Sequence, residues 1–293
     1  MVGSAIVRRL SKENGLETLT RPRGRLDFFN QRSVIDFLKS ERPDYVFIAA
    51  AKVGGILAND QQRADFIYQN LLLETNLIGG AFEAGIKRLC FLGSSCVYPR
   101  LCPQPIKEEY LLTGPLEKTN EPYAVAKIAG IKLCESFNHQ YGTSYTTLMP
   151  ANLYGPNDNY DLVTGHMLAA LLKKAHKAKV AGKDKLDVWG TGTPKRELLY
   201  VDDLADACCH VMKNPPSHSI LNVGSGTDHT ISEIARFVMK TVGFRGELEF
   251  DASKPDGTPQ KLLDVSRMNC EGWKAKTNLF EGLQLTYAKF LSS

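Results

Sequence analysis

A doubly wound parallel α/β sheet covered by helices, with a smaller C-terminal α/β lobe, is the fold class this sequence predicts. Short apolar runs rich in Val, Ile, Phe and Leu alternate with longer amphipathic stretches, the βαβα rhythm of a parallel sheet. Each run is followed by small or polar residues, as at the C-terminal edge of such a sheet, where open α/β folds bind ligands. The composition is globular, with 293 residues, 43% hydrophobic and 23% charged. That length suits one large domain, or one domain and a lobe.

The elements follow in chain order. Residues 1–10 look like the opening of a helix, with Gly3 where it would pack closely against a strand. Residues 17–19 are strand-like and lead into Thr20-Arg21-Pro22-Arg23-Gly24-Arg25. Residues 45–50 form a strand behind the breaker Pro43-Asp44. A helix over 64–83, a strand over 89–93, a helix over 123–141 and a strand over 145–149 come next. The second helix sets Ala126, Ala129, Gly130, Leu133 and Phe137 at spacings of three and four, a small apolar face for a sheet or a second subunit. Beyond Asn152-Leu153-Tyr154-Gly155-Pro156 turn signals multiply, at 188–192, 197–201, 220–224 and Pro255-Asp256-Gly257-Thr258-Pro259. The expected organisation is therefore residues 1–152 as the first domain and 153–293 as a smaller lobe interleaved with it.

Charge and cysteine usage exclude several function classes. Lys and Arg number 36 against 32 Asp and Glu, a formal charge of +4 with no basic block, so nucleic acid is not an expected partner. No apolar run reaches the roughly 18 residues of a membrane span, and the start lacks a secretory layout. A cytoplasmic protein is expected, without a membrane partner. Cys90, Cys96, Cys102, Cys134, Cys208, Cys209 and Cys270 are odd in number and scattered, with no Cys-x-x-Cys and no paired His. Neither a disulfide framework nor a metal site is expected, and an important cysteine would act as a thiol.

The chemistry concentrates after the strand over 89–93. Ser94-Ser95-Cys96 follows it, and Tyr123-Ala124-Val125-Ala126-Lys127 opens the next helix. A Tyr and a Lys four apart share one helix face, where the ammonium would favour phenolate. A Ser hydroxyl from the adjoining strand could bond the same substrate oxygen, which equips the site to protonate a carbonyl oxygen as hydride arrives. Such a pair is also common on ordinary helix surfaces. The Ser-bearing strand end and the turn Pro150-Ala151-Asn152-Leu153-Tyr154-Gly155-Pro156 favour the catalytic reading.

These residues resemble the extended short-chain dehydrogenase/reductase family, on the branch that epimerises and reduces nucleotide-linked 4-keto sugars. The resemblance covers essentially the whole chain and is carried by Ala49-Ala50-Ala51-Lys52-Val53-Gly54-Gly55-Ile56, Phe66-Ile67-Tyr68-Gln69-Asn70, Leu92-Gly93-Ser94-Ser95-Cys96-Val97-Tyr98-Pro99, Asn120-Glu121-Pro122-Tyr123-Ala124, Lys127-Ile128-Ala129-Gly130 and Ser253-Lys254-Pro255-Asp256-Gly257-Thr258-Pro259. It implies a Rossmann-type fold, NADPH as cofactor and GDP-4-keto-6-deoxy-D-mannose as substrate. The implied reaction is inversion at C3 and C5 followed by reduction at C4, giving GDP-L-fucose. A 4-keto group acidifies the neighbouring C–H bonds, so inversion needs one group to remove a proton and another to return one on the opposite face.

The resemblance also implies residue roles. Cys96 is similar to the family's base and His166 to its acid, while Ser94, Tyr123 and Lys127 serve hydride transfer. By themselves, Cys96 could be a small buried hydrophobe and His166 a capping or surface histidine. Along the cofactor would lie Gly3, Ala49, Ala50, Ala51, Leu92, Gly93, Ser94, Ser95, Pro150, Ala151, Asn152, Leu153 and His166, with Lys127 on its ribose. A basic residue after the second strand commonly binds a 2′-phosphate, and Arg23 is the first choice, the alternative being a solvated loop charge. Near GDP would lie Lys174, Trp189, Arg196, Asp256 and Lys261. Lys174 stands where related sequences often carry arginine, which forfeits a bidentate fork, and Trp189 has a core alternative. A dinucleotide fold ordinarily begins with a strand and a glycine turn, of which only the last glycine is present. The expectation is that the sequence starts late or that the first strand and half the cofactor cradle are missing.

The helices over 64–83 and 123–141 would suit a four-helix homodimer contact. Rival readings are another nucleotide-sugar reductase, epimerase or dehydratase, and a dinucleotide-binding sensor without turnover. A dehydratase would want an acidic pair where Ser95-Cys96 stands, and a 4-epimerase has no use for a thiol base.

Overall fold

The structure, a computed structural model, describes residues 1–293 except Arg23, Val163, Pro255 and Ser293. The chain runs α1 (Val2–Leu10), α2 (Gln31–Glu41), β1 (Tyr45–Ile48), α3 (Ile56–Gln61), α4 (Arg63–Glu83) and β2 (Arg88–Leu92). It continues through α5 (Glu121–Tyr141), β3 (Ser144–Pro150), β4 (Asn152–Tyr154), α6 (Met167–Val180), β5 (Lys185–Trp189) and β6 (Lys195–Tyr200). There follow α7 (Val201–Lys213), β7 (Ile220–Val223), β8 (Asp228–Thr230), α8 (Ile231–Val242) and β9 (Glu247–Asp251). The last elements are β10 (Gln260–Lys261), α9 (Ser266–Cys270) and α10 (Leu279–Leu291).

The central sheet has the order β1-β2-β3-β7 and is parallel throughout. All four strands therefore end on the same edge, at Ala49, Gly93, Ala151 and Gly224. Strand β2 is buried along Leu89, Cys90, Phe91 and Leu92, and β3 is buried almost throughout, which is why both read as continuous apolar runs. α5 opens with Pro122 in its first turn and stops at Gly142, whose φ of 65° is left-handed, so an exposed small residue ends the helix and starts the turn into β3.

The C-terminal half is interleaved with this sheet. It sends α7 and β7 into the first core, while Leu171, Leu172, Leu186, Tyr200, Ile234 and Leu283 belong to a second. Around that core lie a sheet of order β10-β6-β4, with β8 beside β6, and the parallel pair β5-β9. Among the described residues no helix is long and apolar enough to cross a membrane, and all seven cysteines are free.

Two local expectations change. Residues 17–19 form no strand, because Glu17 and Thr18 are exposed and no ladder partner lies beside them; β1 is the terminal strand of the sheet. Gly3 is exposed, and a Cβ placed there would meet only Ala49 Cβ, at 3.8 Å. Close packing of α1 rests instead on Ala5 and Ile6, which are buried, and on ion pairs to α7, Arg8 to Asp202 at 2.5 Å and Arg9 to Asp206 at 2.7 Å.

Candidate active site

The site is built on the end of β2. Gly93 donates its N–H to Leu148 O at 2.9 Å, and a Cβ there would overlap the Met149 sulfur, so β2 and β3 lie too close for a side chain. The chain then extends through Ser94 and turns into a short 3₁₀ segment, Ser95–Val97, capped by the Ser94 hydroxyl, which accepts the Cys96 N–H at 3.2 Å. This turn brings Ser94 and the half-buried Cys96 to the sheet edge.

Helix α5 supplies Tyr123 and Lys127. The Lys127 ammonium is buried, and it donates to Leu92 O at 2.9 Å, pairs with Glu74 Oε1 at 2.9 Å and lies 4.6 Å from the centre of the Phe91 ring. Its charge is therefore spent on α4 and β2. Tyr123 packs edge-on to Phe66 and its phenol is raised above its ordinary range, chiefly by burial, then by the charges of Cys96 and Glu74, with the Ser94 side chain pulling the other way. The expected lowering of the phenol by Lys127 is thus reversed, chiefly because the phenol is buried, while the Lys127 ammonium is paired with Glu74. Burial likewise raises the Glu74 carboxyl, against the pull of Lys127.

Two remote segments meet at Cys96. Asn120 occupies the N-cap position of α5 without capping it, and its Nδ2 donates to Cys96 Sγ at 3.2 Å. Lys261 Nζ, from β10, donates to the same sulfur at 3.6 Å. Beside it in register is Arg196 of β6, whose Nη2 donates to Asp256 O at 3.3 Å. Burial lowers the Arg196 guanidinium from its ordinary value, and the charges of Cys96 and Asp256 oppose that.

His166 comes from a different segment. It is the exposed N-cap residue of α6, and its charge partner is Asp158, whose carboxyl is raised by burial and drawn back by the Asn159 N–H and by His166. The turn before it rests on the glycine pair after β1, with the Gly55 N–H donating to Thr164 O at 3.1 Å. Among the described residues no hydrogen bond joins His166 to Cys96.

The remaining strand ends line the same sheet edge. Ala49, Ala50 and Ala51 are half-buried and small, and Asn70 clamps the next residue by accepting the Lys52 N–H at 2.7 Å and donating to Lys52 O at 3.0 Å. Leu92, Ser95, Pro150 and Ala151 are buried, while Asn152 and Leu153 are half-buried, with Asn152 Nδ2 donating to Glu197 O at 2.9 Å. Small, half-open strand ends beside Ser94 and Tyr123 fit a nicotinamide dinucleotide laid across the edge. Arg23 lies outside the described residues. Arg21 is engaged by Glu41 at 2.7 Å and by the Phe37 ring.

Farther out, Trp189 is 52% exposed with Lys174 and Lys254 over its ring at 5.1 and 5.8 Å. It is therefore not a core tryptophan. Burial lowers the Lys174 ammonium, opposed by Asp187. The Asp256 carboxylate accepts from the Thr191 N–H at 2.7 Å and the Thr191 hydroxyl at 2.9 Å, so it builds the loop around Gly190, whose φ is 83°.

Comparison with known proteins adds to this geometry. The sequence profile described as the NAD dependent epimerase/dehydratase family matches residues 1–224. The GDP-L-fucose synthase of Sinorhizobium fredii is 51% identical over 293 residues, covering 100% of this chain and 93% of its own. The GDP-L-fucose synthase of Escherichia coli is also 51% identical, covering 100% of this chain and 94% of its own. The chain belongs to the NAD dependent epimerase/dehydratase family, on its GDP-L-fucose synthase branch. Its fold is also that of the GDP-mannoheptose C4 reductase from Campylobacter jejuni with NADP bound, at a TM-score of 0.90 and 38% identity over 99% of this chain and 95% of that one.

On this epimerase/dehydratase scaffold three residues escaped the sequence reading. Asn120 was named only within the motif Asn120-Glu121-Pro122-Tyr123-Ala124, without a role. Glu74 sits mid-helix, where only its burial beside Lys127 marks it. Glu197, 1% exposed, accepts the Gly226 N–H at 2.7 Å and the Leu263 N–H at 2.8 Å, and burial pushes its carboxyl to about 7 against those bonds. An acidic residue inside an apolar strand was the available signal.

Proposed function

We propose that this protein is a cytoplasmic GDP-L-fucose synthase that converts GDP-4-keto-6-deoxy-D-mannose to GDP-L-fucose by 3,5-epimerisation and 4-reduction. The observation that carries this reading is the convergence of Ser94, Cys96 and Tyr123 at one sheet edge in a chain 51% identical to named GDP-L-fucose synthases. Residues 1–152 mainly hold the cofactor and 153–293 mainly the nucleotide sugar.

The Cys96 sulfur removes the proton at C3 or C5, the electron pair passing into the enolate that the 4-keto oxygen stabilises. His166 returns a proton on the opposite face once the loop at 164–166 and the substrate are together. Tyr123 then donates to O4, and its raised phenol suits that task because it remains a proton donor throughout the neutral range. The Ser94 hydroxyl bonds the same oxygen and orients it. The strand ends at Ala49 to Ala51, Leu92 to Ser95 and Pro150 to Leu153, with Gly3, Lys127 and Arg23, would hold NADPH, which when bound would supply the hydride to C4. Trp189 offers guanine a stacking face, and Lys174 and Arg196 offer cations to the diphosphate.

A homodimer through α4 and α5 completes the proposal, supported by Tyr68 and Val125, exposed on those two helices; a monomer at all concentrations in sedimentation would remove it. The main test follows NADPH oxidation and deuterium at C3 and C5 in deuterated water. The expected result is deuterium at both carbons with formation of GDP-L-fucose. A plain C4 reductase is the second reading, favoured by the lack of a hydrogen bond between His166 and Cys96 among the described residues, and it predicts NADPH oxidation without deuterium.

A further inference from the structure

We propose that Lys261 and Asn120 clamp the Cys96 sulfur and serve the epimerising half of the reaction, Lys261 acting there as a positioning residue. The inference rests on the epimerase reading above for its catalytic meaning and on geometry alone for the contact. Among the described residues two donors and no acceptor address one sulfur, Asn120 Nδ2 at 3.2 Å and Lys261 Nζ at 3.6 Å. A sulfur carrying negative charge accepts such bonds more strongly than a neutral thiol. Among the described residues no carboxylate pairs with Lys261, so its charge is directed at Cys96.

The clamp is held by both lobes. Asn120 forgoes its helix cap to reach the sulfur, and its Oδ1 is buried without a donor, leaving an acceptor that a sugar hydroxyl would complete. Lys261 is fixed on either side of its own backbone. The Lys195 N–H donates to Pro259 O at 2.8 Å, the Leu262 N–H to Gln104 Oε1 at 2.9 Å, and the Leu263 N–H to Glu197 Oε2 at 2.8 Å. Ile106 closes the frame with its N–H on Leu262 O at 2.7 Å. The ammonium is therefore delivered to Cys96 by a strand that cannot shift without breaking bonds to β6 and to the segment after β2.

In the step this serves, the C–H bond breaks, its proton forms S–H on Cys96, and the electron pair enters the enolate. The donors stabilise the sulfur before transfer and hold it in line with the carbon. A diphosphate ligand at Lys261 would instead leave free Cys96 unaffected.

The test is alkylation of the substrate-free protein by iodoacetamide at pH 7, read by mass spectrometry of the Cys96 peptide, with the exposed Cys270 as internal control. Lys261→Gln is expected to slow Cys96 by at least about fivefold with Cys270 unchanged, and Lys261→Arg to restore most of the rate. Deuterium incorporation should fall in parallel. An unchanged Cys96 rate together with a raised KM in both half-reactions would overturn the clamp and return Lys261 to nucleotide binding. Slowed Cys96 alkylation in Lys261→Gln, alongside a wild type that incorporates no deuterium, would keep the clamp and sink the epimerase reading.

Discussion

The two residue sets proposed for reduction and for epimerisation at this edge are built differently. Tyr123, Lys127, Glu74 and Ser94 come from β2, α4 and α5, lie within the first sheet's own packing, and bury their ion pair completely. Cys96 instead meets Asn120 and Lys261 across a half-buried cleft, and one of those partners is 165 residues away in sequence. A site made by adjacent elements is fixed by folding of one domain, whereas a site made between lobes depends on how the second lobe closes. Damage to the first should cost stability, and damage to the second should cost one reaction.

The largest effect is expected at Glu74. Glu74→Ala leaves the Lys127 ammonium buried without its counter-charge, which should cost about 3–5 kcal/mol in urea unfolding. A loss below about 1 kcal/mol would mean that Leu92 O and the Phe91 ring suffice. Glu197 provides the corresponding test in the second lobe. Burial raises its carboxyl to about 7 in the folded chain from an ordinary 4.5, so its contribution to stability is complete below pH 4.5 and is lost as pH rises to about 7. Wild type should lose up to about 3 kcal/mol over that window, and Glu197→Gln should flatten the slope. The smallest effect belongs to Trp189→Ala, an exposed ring, with GDP affinity falling roughly fivefold in titration calorimetry and thermal stability unchanged.

The same contrast decides what was legible in the sequence. The strand ends at 45–50, 89–93 and 145–149, the helices at 64–83 and 123–141, and the Ser94, Tyr123 and Lys127 set announce themselves through apolar runs and a four-residue spacing, because they arise from local periodicity. The helix spacing could not show that Lys127 is neutralised by Glu74, since that depends on how α4 packs on α5. Nor could it show Asn120 and Lys261 on Cys96, or Asp256 folded onto Thr191. Those contacts are made by chain reversals distant in sequence. The strand expected at 17–19 failed for the same reason, because a strand needs a neighbour as well as a composition.

The most direct measurement of the account is Cys96→Ser with each half-reaction followed separately. The variant is expected to abolish deuterium incorporation at C3 and C5 while oxidising NADPH with the already epimerised 4-keto sugar at a rate within about threefold of wild type. Loss of both activities together, in a variant that still folds and binds NADPH, would contradict the division of this edge into two separable sites.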